Sequence, residues 1–148
     1  MNDKELHDKA HAAMYKIMKD TGIVSPVEVL MAMGILSKAD YENWRFGKVP
    51  YLERVCKINL RKLSKINHKI RVFAKKNNLK PSWTFYKKWG NNKKGNEGSA
   101  IKLRFSKSGD EGIERQYATH YISLRTLEEA KESRQAKKND EEANTPDC

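Results

Sequence analysis

No stretch of the sequence approaches 18 consecutive apolar residues, and no apolar segment follows a basic start at Met1. A membrane-spanning helix and a secretory signal are therefore not expected, and the setting reads as cytoplasmic. Cysteine is nearly missing: Cys56 and Cys148 cannot by themselves build a disulfide framework or fill the four positions of a zinc site. Apolar residues make up only 38% of the 148 positions against 33% charged, so the core must be modest and part of the chain unpacked. Acidic residues are scarce in one region above all. Between positions 51 and 109 the only ones are Glu53 and Glu97.

Positive charge is what the chain has in excess, with 30 Lys+Arg against 19 Asp+Glu and a net charge of +11. A ligand feels the local field rather than the total. Residues 1–50 are balanced, residues 51–80 carry +9, residues 81–109 carry +6, and residues 110–122 and 123–148 carry −2 each. A basic centre between a neutral head and an acidic tail points to a polyanionic partner.

Spacing and capping residues predict an α+β domain over residues 1–122. Residues 1–49 read as three short helices: Leu6 to Met18 at helical spacing with Gly22 as a stop, then Ser25-Pro26-Val27-Glu28 as a capping box, then a helix capped by Ser37 and ended by Gly47. Residues 50–78 read as one long helix. Its seam is Leu52, Cys56, Asn59, Leu63, Ile66, Ile70 and Phe73, and its opposite face carries Arg54, Lys57, Arg61, Lys65, His68 and Lys75. Asn59 would then be a buried polar residue fixing register. After Pro81 the period becomes alternating, and residues 82–122 read as a three-stranded antiparallel meander. Its strands lie at Trp83–Tyr86, Ala100–Ser106 and Ile113–Ile122, and Asn91–Ser99 forms a mobile connection. From Ser123 a charged helix decays into a tail expected to be disordered after Lys138.

Several motifs suggest chemistry and fall short. His7 and His11 stand four apart, as metal ligands on a helix do, but no third ligand is placed. Cys56 lies in the apolar seam, where a thiol is an inert small hydrophobe. Gly90-Asn91-Asn92-Lys93-Lys94-Gly95 opens like a phosphate-binding loop and fails where Asn96-Glu97 replaces the required lysine and hydroxyl residue. What survives there is a flexible basic loop able to touch a nucleic-acid backbone. Helices two and three have helix-turn-helix spacing, although Asp40 and Glu42 would face phosphates. Trp44-Arg45-Phe46-Gly47-Lys48-Val49-Pro50 is similar to a helix ending in some bacterial winged-helix regulators.

The segment from Ser25 to Ile122 resembles a family of short, functionally uncharacterised bacterial proteins. The resemblance rests on Trp44-Arg45-Phe46-Gly47, Val49-Pro50-Tyr51-Leu52-Glu53, Leu103-Arg104-Phe105-Ser106-Lys107-Ser108-Gly109-Asp110 and Tyr117-Ala118-Thr119-His120. It implies a bacterial, cytoplasmic setting and supplies no activity.

The leading expectation is non-catalytic nucleic-acid binding, RNA or single-stranded DNA ahead of duplex. Its candidate residues are Arg54, Lys57, Arg61 and Lys65 on the helix and Lys87, Lys88, Trp89, Lys93, Lys94, Lys102 and Arg104 on the sheet and its loop. Cations to neutralise phosphate and rings to stack on bases are the ingredients of single-strand recognition. The alternatives are a protein-interaction module or homo-oligomer built on the long helix, and a helix-turn-helix regulator. No cofactor, metal or catalytic residue is expected; an enzyme would instead gather titratable groups such as His68 and His120 in a cleft.

Overall fold

The computed structural model describes residues 1–90 and 101–143, with side chains to residue 137. The chain forms an α+β fold of six helices and one three-stranded antiparallel sheet among these residues. Helix α1 spans Asp3–Thr21, capped by the Asn2 side chain and ended by left-handed Gly22. Strand β1, Ile23–Val24, follows at once. Helix α2, Pro26–Ala32, begins behind the Ser25 hydroxyl, which accepts from Glu28 N, with proline in the first turn where its missing N–H leaves no helical bond unmade. Helix α3, Lys38–Arg45, is capped in the same way by Ser37. The three helices of the head thus lie where their caps put them.

The expected 50–78 helix is two pieces. Leu52–Val55 form a single 3₁₀ turn, and helix α4 runs only over Leu60–Lys76. The break has a physical cause: Leu52 N and Glu53 N donate to Arg104 O and Phe105 O, which draws residues 52–53 away from a helical path. Asn59 then starts α4 afresh, its side chain accepting from Lys62 N at 2.9 Å. Asn59 is an exposed cap and not a buried seam residue.

The sheet also differs from the expected meander. Its order is β1-β3-β2, with β2 at Lys80–Trp83 and β3 at Thr119–Ile122. Residues 101–106 form no strand; a single antiparallel bridge joins Lys102 to Lys87, flanked by Lys88 N to Ile101 O and Leu103 N to Tyr86 O. Residues 113–118 belong to helix α5, Glu111–Ala118, because Asp110 caps it through Ile113 N and Tyr117 and Ala118 are its buried positions. Helix α6 occupies Leu124–Ala143, so the backbone is helical past Lys138, where a disordered tail was expected. Its first turn closes on Gly22, where φ is +73° and an added Cβ would run into Thr126 Oγ1, while Ser123 N donates to Gly22 O. The 91–99 connection, and the tail beyond Ala143, lie outside the described residues. None of the described helices is long and apolar enough to cross a membrane.

One core cluster runs from Leu6 to Tyr121, with Trp44, Phe105 and Tyr117 its largest fully buried side chains. The α4 seam of Leu63, Ile66, Ile70 and Phe73 belongs to this core, with α1 packed along the helix. Two carboxylates tie the 103–107 segment into it. Glu114 accepts from Phe105 N at 2.9 Å, Ser106 N at 2.7 Å and Ser106 Oγ at 2.5 Å. Glu53 accepts from Lys107 N at 2.8 Å and from the Tyr117 hydroxyl at 2.7 Å, and burial beside this carboxylate pushes the Tyr117 pKa far above its ordinary value.

Candidate nucleic-acid interface

Strand β2 and the arm beyond it alternate as an extended chain must, so successive side chains point to opposite sides. Tyr86 turns inward against Trp44 and Phe105. Trp83, Phe85 and Lys87 turn outward, leaving Trp83 54% and Phe85 40% exposed. The Trp83 and Phe85 rings are 6.1 Å apart. Lys87 Nζ lies 5.7 Å from the Phe85 ring centre, and Lys102 Nζ and Arg115 Cζ lie 5.6 and 5.9 Å from that of Trp83. The result is an outward stripe of two rings with three cations over them.

Lys87 and Lys102 are directly opposite across the antiparallel bridge, where like charges oppose pairing. Neither they nor Arg115 meets an acidic partner in an ion pair among the described residues. An anion placed over the stripe would relieve that repulsion. Beside Trp83 the surface opens into a cleft of about 360 Å³ whose walls include Lys102, Arg115 and Glu111.

The other expected site residues are scattered. Trp89 closes a second aromatic group, edge-on to Tyr41 and Phe46 with the Arg45 guanidinium 4.6 Å from its ring centre, and Trp89 N donates to Arg45 O. It anchors the arm to α3. The Lys88 stem lies against Gly47, in space that a Cβ there would take. Arg104 does not share the outward face with Lys102: its guanidinium donates to Ser106 O and Lys107 O and sits over Tyr51. Lys93 and Lys94 lie outside the described residues.

Arg54 and Lys57 are exposed but precede α4, so they do not continue the row of Arg61 and Lys65. Lys65 is paired with Asp3 at 2.9 Å, Lys69 reaches His7 Nδ1 at 3.0 Å, and Lys62 donates to Met1 O. This row holds the start of α1. Arg61 adds to the field that lowers the Asp3 pKa, and Arg71, Lys75 and Lys76 form no ion pair among the described residues, on a helix whose sequence contains no acid at all.

Sequence reasoning missed Phe85 and Arg115 as site residues, and Trp83 as an exposed platform. The signal for Arg115 was present: Asp110 as a cap, acids in the next turn, and Ile113 and Tyr117 four apart. Burial pushes the Cys56 thiol up to about 12, as an inert thiol requires. Among the described residues no group of three or more His, Cys, Asp or Glu side chains could hold a metal ion.

No protein-family model, no curated protein and no solved structure matches the chain.

Proposed function

We propose that this protein binds nucleic acid without catalysing a reaction on it, and that single-stranded RNA or DNA is its main ligand. The observation that carries the reading is the outward stripe: exposed Trp83 and Phe85 beside Lys87, Lys102 and Arg115, none of the cations paired with an acid among the described residues. Aromatic faces take unpaired bases by stacking, worth about 1–3 kcal/mol per base, and the cations take the phosphates between them. A folded surface gains nothing from exposing two large rings to water, whereas a ligand with flat apolar faces covers them.

A second reading, duplex DNA, is favoured by a different observation. Acid-free α4 leads through Asn77–Leu79 directly into β2, so a basic helix stands next to the sheet in the chain. Helix-turn-helix modules lay one helix in the major groove, and here that helix would be α4 in place of α3.

Two variants separate the readings. Trp83→Ala with Phe85→Ala should weaken single-strand binding at least tenfold, about the loss of one stacked base, and leave duplex binding within a factor of about two. Arg61→Gln with Arg71→Gln and Lys75→Gln should weaken duplex binding more than single-strand binding if α4 enters a groove. Fluorescence anisotropy with labelled RNA, DNA strand and duplex measures both. Equal single-strand affinity in the aromatic variant and the wild type would remove the stripe as the site.

A further inference from the structure

From the cleft beside Trp83 we infer a specific ligand for the proposed single-strand site, an inference that rests on that reading: the cleft receives an unpaired guanine base. Its volume of about 360 Å³ falls in the range of small-ligand pockets, which begins near 300 Å³. One wall is the exposed indole of Trp83, a stacking surface for any base. Lys102 and Arg115 rest over that indole, held by no acid among the described residues, so either can swing from the ring to a phosphate as a base stacks.

The selecting group is Glu111. Two carboxylates line the cleft, but they are not equivalent. Both Glu114 oxygens already accept backbone N–H groups of Phe105 and Ser106. The side chain of Glu111, at the first position of α5, makes no ion pair or hydrogen bond among the described residues. A carboxylate only accepts, and accepts best through both oxygens. On the Watson–Crick edge, guanine alone offers two adjacent donors, N1–H and the N2 amine. Adenine and cytosine set a donor beside an acceptor, and uracil flanks its one N–H with two carbonyls. An acceptor pair beside a stacking ring therefore matches guanine and leaves an acceptor of the other bases facing a negative charge.

The test uses nine-residue uridine strands with a central guanosine, adenosine, cytidine or uridine, together with free guanosine, adenosine and uridine monophosphates. Tryptophan emission gives the affinities, and Trp83→Phe assigns the quenched ring. The guanosine strand should bind about tenfold tighter than the other three, within the discrimination of one bidentate base contact. Glu111→Gln should remove that margin, so that the four strands bind the variant alike, because an amide offers one acceptor and one donor where guanine needs two acceptors. Circular dichroism checks that the variant is folded. Equal affinity for all four strands, or a guanosine margin that survives Glu111→Gln, overturns the inference and leaves single-strand binding standing. Glu111-dependent binding of guanosine monophosphate with no strand binding would keep the guanine site, make a free nucleotide its source, and sink the nucleic-acid reading instead. Failure of strands and nucleotides alike defeats both.

Discussion

His120 lies half-buried with Nε2 2.9 Å from the Tyr86 hydroxyl, and burial holds its pKa below the ordinary imidazole value. The unfolded chain therefore binds this proton more readily than the folded one, so stability falls as pH drops through about 6.5 and levels off once the folded imidazole is also protonated. The melting temperature should decline between pH 8 and pH 5, and His120→Gln should shrink that decline; an unaltered pH profile in the variant would assign it to other groups. Asn59 shows how one residue can satisfy two patterns. Counting apolar residues by alternating threes and fours places it in a seam, yet Asn is also among the best helix caps. Local spacing could not tell the two apart, because what decides is the pull of Arg104 O and Phe105 O from fifty positions away. Asn59→Leu should lower stability by about 1 kcal/mol, the worth of a lost cap, with no change in assembly. A rise in melting temperature would return Asn59 to the seam.

At the scale of elements, local chemistry carried the helices well. Ser25, Ser37 and Gly22 are caps and stops whose effect lies within four residues, and α1, α2 and α3 follow them. The sheet was less legible because its pairing is not local. The alternation expected from Ile101 to Phe105 holds only in part: Leu103 and Phe105 are buried but Ile101 is exposed, and Phe105 packs on the rings of Tyr86, Trp44 and Tyr117 in place of a strand ladder. An extended segment with few ladder bonds must satisfy its N–H groups elsewhere, and Glu114 does so for Phe105 and Ser106. Glu114→Ala strands both donors and should destabilise the protein by about 3 kcal/mol. Urea unfolding measures it, and a loss under about 1 kcal/mol would mean that the segment finds other partners. The outward stripe was half legible: charge and alternation point to Lys87 and Lys102, whereas reading α5 as a strand hides Arg115, and counting Trp83 as a strand former says nothing of its exposure.

Across the whole molecule, the positive charge of the described residues divides among surfaces that differ in their partners. One row on α4 secures α1 through Asp3, His7 and the Met1 carbonyl; the outward stripe beyond β2 has no such internal partner among the described residues. Composition could announce the excess but not this division, which depends on α1 folding back along α4. Under the proposed function the stripe holds a phosphate backbone. The most direct test of this is the salt dependence of binding to a single-stranded RNA, compared between the wild type and Lys87→Gln with Lys102→Gln and Arg115→Gln. Each phosphate contact to a single strand contributes about 0.7 to the slope of log affinity against log salt, so the triple variant should flatten it by about 2. A wild-type affinity weaker than about 10⁻⁴ M at physiological salt, or a slope that the triple variant leaves unchanged, would contradict the account.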